Sequence, residues 1–512
     1  MTNKFTSTVS TTFAEYLLLP RLTTKQHSPD KISLATPLAR YRLKEKSKLF
    51  LNVPFTSAVM QAVSGPDLAI ALAREGGLSF IYCSQPIAEE TAMVLRVKDY
   101  KAGFVTSKAN LKPSNTLADA LRLTEETGYS TIAITKNGQP DSELLGILTD
   151  QDYWLDYDSL NIPLSKLMTP FTKLTYGLAG IALDQANKIL RDSKKSCIPI
   201  INNKKERKLK FLVFKKDREQ HLEHSLELID DQKRLLVGAG INTRDYSERV
   251  PELVRSGADV LVIDTSDGYN EYVKDTVTWV KKHYPQIPIG AGNVVDGAGF
   301  KYLANAGADF VKVGIGGGSI CITQEVKGIG RGQVTALYEV AQARAEYLKN
   351  KKVYIPICSD GGLVQDSHIL IALSLGADFV MMGRYFARCA ESPTEEKILG
   401  GMGLVKPYWG EGSDRARNWQ RYHNSEENNN LPFEEGVDGW VPFAGNLSDI
   451  VQKSVKITKS TMSNLGCLNI GELHEKVILE RRSSASIHEG KPHDVQLHAD
   501  NLGSYKKLYW GK

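Results

Sequence analysis

Cysteine is sparse in this chain and unpaired in pattern. Six residues, Cys83, Cys197, Cys321, Cys358, Cys389 and Cys467, are scattered without a CxxC, so neither a zinc site nor a disulfide framework is indicated. Long apolar runs are also missing. None approaches the ~18 residues of a spanning helix, and the opening MTNKFTSTVSTTFAEY has no signal-peptide core. The final Tyr509-Trp510-Gly511-Lys512 is not a retention or peroxisomal signal, so the expected location is cytoplasmic and away from membranes. Charge of one sign is lacking too: 64 Lys and Arg against 59 Asp and Glu leave a formal +5. That is too little for a broad nucleic-acid-binding face, and nucleic acid is not expected as a partner. No GxGxxG follows a leading strand, which removes the usual dinucleotide fingerprint. At 512 residues the chain exceeds the size of one typical core, and two domains are the starting expectation.

Glycine, by contrast, is concentrated. Val313 to Arg331 reads VGIGGGSICITQEVKGIGR, entered by the apolar run Phe310 to Val313. Glycines at this density let a backbone adopt φ > 0 and approach a ligand closely, and successive N–H groups can form an anion nest. Ser319 adds a donor, and Cys321 would stand beside whatever the nest holds. A phosphate cradle joined to a nucleophile is one interpretation; a flexible glycine loop with an incidental cysteine is the other.

Strand and helix signals place this loop. Apolar strands are predicted near Phe50–Pro54, Leu78–Tyr82, Leu235–Ala239, Val260–Asp264, Ile287–Ala291, Phe310–Gly314, Tyr354–Cys358 and Phe379–Gly383, with helical stretches between them. Eight βα units point to an α/β fold of the (β/α)8 TIM-barrel type. The tetrapeptides Ser256-Gly257-Ala258-Asp259, Ala306-Gly307-Ala308-Asp309 and Leu375-Gly376-Ala377-Asp378 each lead into a strand. The residues that follow the strands differ and are chemically rich, among them Asp264-Thr265-Ser266, Gly292-Asn293, Ser359-Asp360-Gly361-Gly362 and Gly383-Arg384-Tyr385. Constant entries with variable polar exits fit a barrel whose site lies at the C-terminal strand ends. Gly-Ala-Asp as a mere helix-to-strand connector would explain the entries but not the exits.

The rhythm breaks at residues 99–225. A helix at Leu117–Glu126, strands at Thr131–Ile134 and Leu144–Asp150, then a helix at Ala182–Asp192 and strands at Ile198–Ile201 and Lys210–Phe214, form a doubled pattern. It looks like a tandem pair of cystathionine-β-synthase-type (CBS) modules, which commonly bind adenine or guanine nucleotides. Gly146 to Asp152 is its most specific part, and the second copy lacks the Thr-Asp ending. The basic run Lys204 to Arg218 could meet phosphates, although a solvated basic face is the simpler explanation. Three parts are therefore expected: barrel from 1 to 98, inserted CBS pair from 99 to 225, and barrel from 226 to 512. The last includes a flap at about 400–436, which is a candidate lid.

Taken together, Ala71 to Gly77, Gly314 to Thr323, Ser359 to Gly362 and Trp419-Gln420-Arg421-Tyr422 resemble the inosine-5′-monophosphate (IMP) dehydrogenase family over essentially the whole chain. The resemblance implies oxidation of IMP to xanthosine monophosphate with NAD⁺, through a covalent thioimidate on Cys321. It implies hydrolysis by water activated by Arg421, with Tyr422 and Thr323 beside it. Residue chemistry alone would make Arg421 a phosphate or carboxylate clamp, because arginine normally stays protonated. Substrate contacts carried over are Ser319, Asp360, Gly361, Gly362, Met382, Gly383, Arg384, Tyr408, Trp409, Gly410, Glu411, Gly412 and Glu435. Cofactor contacts are Asp264, Thr265, Ser266, Gly314, Ile315, Gly316, Arg244 and Asn293. A potassium ion is implied on carbonyls of Gly316, Gly318 and Cys321, completed by Glu489, Gly490 and Lys491 of a neighbouring subunit in a homotetramer. The rival within the family is a guanosine monophosphate (GMP) reductase, against which Arg421-Tyr422 and the insert at 99–225 are expected to decide. A nucleotide sensor without catalysis would not need Cys321, Thr323, Arg421 and Asp360 together.

Overall fold

A computed structural model describes residues 6, 9–100, 107, 109–127, 130–181, 183–215, 224, 226–231, 234–416 and 433–495. The chain divides into two compact units: Met1–Lys98 with Leu226–Leu228 and Leu236–Lys512, and Asp99–Ser225 with Ile229–Leu235.

The first unit is built on eight parallel strands: β1 (Phe55–Ser57), β2 (Phe80–Ile81), β3 (Gly238–Ile241), β4 (Val260–Ile263), β5 (Ile289–Val294), β6 (Phe310–Val313), β7 (Ile357–Asp360) and β8 (Phe379–Met382). The ladder runs β1-β8-β7-β6-β5-β4-β3-β2, and a parallel bridge between Thr56 and Leu78 joins its two ends. Leu78 N–H donates to Phe55 and Ser57 N–H to Leu78, so the barrel is closed. Helices α1 (Pro66–Arg74), α2 (Ile87–Asp99), α3 (Tyr246–Ser256), α4 (Glu271–His283), α5 (Gly297–Ala306), α6 (Gln333–Lys351) and α7 (Asp366–Ser374) follow the first seven strands. The long α8 (Leu447–Asn464) comes after the flap.

Aromatic side chains fill the interior where glycines leave room. Phe310 packs against Phe379 at 5.3 Å and Phe80 at 6.1 Å between ring centroids. A Cβ on Gly290 would lie 2.0 Å from the Phe310 ring, and one on Gly238 would lie 2.3 Å from Phe80. Each buried phenylalanine contributes about 2 kcal/mol, so these glycines are as much part of the core as the rings.

The Gly-Ala-Asp repeats have a common structural cause. Gly257, Gly307 and Gly376 close helices at φ of +93°, +107° and +109°. The aspartates then accept the leading N–H of the neighbouring strand segment: Asp259 from Val237, Asp309 from Ile289 and Asp378 from Ile357, each at 2.8 Å. Each also holds a cation, Lys98, Lys281 or Arg344 respectively. The repeat therefore organises the strand-entry end of the barrel, opposite the strand exits.

Two strand expectations are corrected, both at prolines. Phe50–Leu51 pairs antiparallel with Thr36–Pro37, and the barrel strand begins only after Pro54, whose carbonyl accepts from Val380 N–H. Val353–Tyr354 likewise pairs with Tyr41–Arg42, while the barrel strand starts after Pro356. Proline has no N–H to give a ladder, so it separates the lead-in from the strand.

In the second unit, helix Leu117–Thr127 accompanies a sheet ordered Thr169–Pro170, Leu144–Leu148, Ile132–Thr135, Asn110–Leu111. Helix Leu183–Ser193 accompanies a sheet of Gly177–Leu178, Cys197–Ile201 and Leu209–Phe214. A shared cluster including Ala133, Ile147, Ile201 and Leu212 joins the two copies. Asp152 accepts from Thr149 with one oxygen and from Thr169 with the other, which fixes the end of Leu144–Leu148. Within the basic run, Arg207 pairs with Glu143 and Lys210 with Asp141; residues 216–218 lie outside the described residues.

Asp378 is 2% exposed and faces a buried Arg344. Replacing it with alanine leaves that guanidinium unpaired and should cost about 3 kcal/mol in denaturant unfolding of the barrel. A loss below ~1 kcal/mol would contradict this account of the repeat.

Candidate active site

The strand exits enclose a cavity of about 270 Å³. Its shape is set by the loop after β6. Gly314 and Gly316 lie at φ of +137° and +76°, and a Cβ on either would strike Asp360 O at 2.1 Å or Gln324 Cγ at 2.3 Å. Gln324 Nε2 holds the Ile315 carbonyl at 3.0 Å, and Gln333 Nε2 holds the Val313 carbonyl at 2.7 Å. Gly362 N–H donates to Gly317 O at 2.9 Å, tying this loop to the one after β7.

Gly317, Gly318, Ser319, Gly361, Gly362, Gly383 and Arg384 gather at the cavity wall. Burial pushes the Arg384 guanidinium down from its ordinary value, and no carboxylate pairs with it among the described residues. Tyr408 reaches the same place, with its hydroxyl donating to Met60 Sδ at 3.9 Å and its ionisation pushed up by burial. An unpaired cation beside loop N–H groups suits a phosphate.

Asp360 sits at the end of β7. Its Oδ2 accepts from Asn293 Nδ2 at 2.9 Å and from Lys312 Nζ at 3.2 Å. Burial disfavours the Lys312 charge, but Asp360 and Asp264 more than offset it and raise the lysine above its ordinary value. Asn293 Oδ1 is buried without a hydrogen-bond partner among the described residues, an acceptor open to a ligand's N–H or O–H. Asp264, Thr265 and Ser266 line the cavity beside it.

Cys321 stands 3.1 Å from Thr323 Oγ1, which donates to Glu435 Oε2 at 3.0 Å. Cys321 also bridges Gly436 in antiparallel fashion, and Val437 N–H donates to Ile320 O at 3.0 Å. The returning flap is thus stitched to the loop that carries Cys321, and Glu435 rather than Glu434 lines the cavity. Glu434 instead accepts from Asp414 N–H.

Most expected site residues line this one cavity: Cys321, Thr323, Gly318, every substrate contact except Trp409, and every cofactor contact except Arg244. Trp409 donates to Gln61 Oε1 at 3.2 Å and lies under Arg415, so it supports the flap base from outside. Tyr385 bonds Ser454 and the Ile450 carbonyl, away from the cavity. Glu411 lines the cavity, yet its carboxylate is held by Gln61 N–H and Ser84 Oγ, which makes it an anchor. Glu489, Gly490 and Lys491 are exposed at the end of helix Ser484–Glu489 and do not line it. Arg421 and Tyr422 lie outside the described residues. Sequence reasoning missed Lys312, Gln333 and Lys327. A lysine inside the apolar Phe310–Val313 run was the one available signal.

Fold and site together define a parallel eight-stranded α/β barrel with a glycine-walled cavity that a thiol also lines. The chain belongs to the IMP dehydrogenase / GMP reductase family, whose domain model matches residues 10–493. It is 50% identical over 495 residues to inosine-5′-monophosphate dehydrogenase of Tritrichomonas foetus, covering 96% of this chain and 97% of that protein. It is 36% identical to the enzyme of that name from Aquifex aeolicus, over 95% of this chain and 96% of that one. Among solved structures it resembles GMP reductase from Trypanosoma brucei in complex with guanosine 5′-monophosphate. That match has a TM-score of 0.84 and 27% identity, with 96% and 98% of the two chains covered. Residues 99–225 are too large a share of the chain to fall outside such a match. The insert therefore does not separate dehydrogenase from reductase, and that expectation is corrected.

Four of the six thiols are buried, and burial pushes each above its ordinary range, Cys389 to about 12. Iodoacetamide at neutral pH should modify Cys321 and Cys197 and spare the other four in peptide mapping. Labelling of Cys358 or Cys83 ahead of Cys321 would contradict the site geometry.

Proposed function

We propose that this chain oxidises IMP to xanthosine monophosphate with NAD⁺, the committed step toward guanine nucleotides, through a covalent intermediate on Cys321. The observation that carries this is Cys321 beside Thr323 and Glu435, in the same cavity as Asp360 and the glycine loop. Ser319, Gly361, Gly362, Gly383 and Arg384 hold the phosphate. Asp360 has Oδ2 occupied by Asn293 and Lys312, and its Oδ1 serves the ribose hydroxyls. Met382, Tyr408, Gly410 and Gly412 surround the hypoxanthine.

The planar C2 of hypoxanthine is a poor hydride donor. Attack by the Cys321 thiolate makes it tetrahedral, and hydride can then leave. NAD⁺ supplies the acceptor when bound. Asp264, Thr265, Ser266 and the unpartnered Asn293 Oδ1 are the groups that would hold it. Water then hydrolyses the thioimidate, activated by Arg421 with Tyr422 and Thr323 beside it. This assignment is supported by the family resemblance.

The loop carbonyls of Gly316, Gly318 and Cys321 suit a potassium ion. The Gly318 carbonyl accepts from Cys321 N–H at 3.1 Å and keeps a second lone pair. The Glu489–Lys491 segment of a second copy would complete the shell, since carbonyls at a helix end lack partners further along. A shared cation site fits a homotetramer. Residues 99–225 are assigned as a CBS pair that binds adenine or guanine nucleotides.

Incubation with IMP and NAD⁺ should produce NADH absorbance, faster with potassium than without. NADPH oxidation by GMP, with no NADH formed from IMP, would instead favour the reductase. Cys321→Ala should lower turnover by at least ~100-fold and still bind IMP. Arg421→Ala should release about one NADH per site in a burst and then nearly stop. Equal loss in both phases would refute the hydrolytic role of Arg421.

A further inference from the structure

The short helix Thr323–Lys327 begins and ends on residues four apart, which puts their side chains on one face a turn apart. Both meet the same carboxylate. Thr323 Oγ1 donates to Glu435 Oε2 at 3.0 Å, and Lys327 Nζ lies 2.6 Å from Glu435 Oε1. Glu435 is 5% exposed, and Lys327 is the cation paired with it among the described residues. The same ammonium lies 5.1 Å from the Phe433 ring centroid, so it spans two residues of the returning flap. The main chain of Glu435 is fixed as well: its N–H donates to Gly412 O at 2.9 Å and its carbonyl accepts from Ile322 N–H at 3.0 Å.

These bonds give the Thr323 hydroxyl a direction. A carboxylate offers acceptors only, so the Thr323 hydrogen points to Glu435 and an oxygen lone pair is left toward Cys321, 3.1 Å away. In the free protein that lone pair can receive the thiol hydrogen. Once Sγ is bonded to carbon the thiol hydrogen is gone, and the same acceptor is open to a water at the C–S bond.

We propose that Lys327 is a positioning residue for the hydrolytic half-reaction, acting through Glu435 and Thr323. By occupying Oε1 it presents Oε2 to Thr323, and the hydroxyl so oriented accepts a hydrogen bond from the attacking water. The water oxygen bonds to C2, the C2–Sγ bond breaks with its electron pair returning to Cys321, and the water proton leaves to the base. Lys327 touches none of the reacting atoms. This rests on the dehydrogenase reading with its cysteine-bound intermediate.

The test uses the full-length protein with IMP and NAD⁺, following the NADH burst and the steady state separately. Lys327→Met should lower steady-state kcat about tenfold, leave the KM for IMP within about twofold, and keep the burst amplitude. Lys327→Arg should restore most of the rate, because it still places a cation at Oε1. In the Glu435→Gln background, Lys327→Met should have little further effect, as expected for residues acting in series. An unchanged kcat in Lys327→Met, equal loss of burst and steady state, or additive effects of the two substitutions would overturn the proposal. Absence of NADH from the unsubstituted protein would instead remove the dehydrogenase reading beneath it.

Discussion

The mouth of the barrel depends on a loop with no room for side chains. Gly314 and Gly316 pass so close to Asp360 O and Gln324 that a single Cβ at either position would overlap its neighbour. Because the chain is squeezed there, Gly317 comes within hydrogen-bonding reach of Gly362, and the exits of β6 and β7 become one surface. Ser319 and Cys321 take their positions from that surface. A thiol on a free loop would have no fixed relation to the serine and glycines around it; here all are set by the same turn.

The second layer of order comes from the flap. Its two described ends, near Gly410–Gly412 and Glu435–Val437, pair with each other and with Ile320–Ile322. Glu411 is tied to Gln61 and Ser84, and buried Lys406 donates to the carbonyls of Cys389, Ala390 and Ser392. The flap is therefore anchored on both sides of Cys321, and Glu435 arrives beside Thr323 as a consequence of main-chain pairing. At the opposite end of the barrel, the aspartates of the Gly-Ala-Asp repeats tie strand entries to cations. The ion-paired aspartates and the cavity thus occupy opposite ends of the barrel.

Much of this was legible in the residues. Eight apolar runs with constant entries and polar exits gave the barrel, and the density of glycine marked the loop. The strand limits were less legible, because the apolar runs before Pro54 and Pro356 look like strand but belong to side ribbons. Trp409 lies among cavity residues in sequence but outside the cavity, and Glu411 lines it, yet the polar atoms of both turn to Gln61 and Ser84, contacts more than 300 residues away in the chain. Lys327 shows the same limit: its spacing from Thr323 is visible in any helical reading, but its meaning needs a carboxylate that only the fold brings near. The choice between dehydrogenase and reductase came from neither barrel nor insert. It is carried by the 50% identity to a dehydrogenase over nearly the full length and by the proposed role of Arg421.

The central claim is that Cys321 bonds covalently to the substrate carbon. Mixing the protein with IMP and NAD⁺, quenching in acid within the first turnover and mapping peptides by mass tests it most directly. A nucleotide-mass adduct on the peptide carrying Cys321, present only when both ligands are added, is the predicted result. NADH formed in that turnover with Cys321 unmodified would contradict the account.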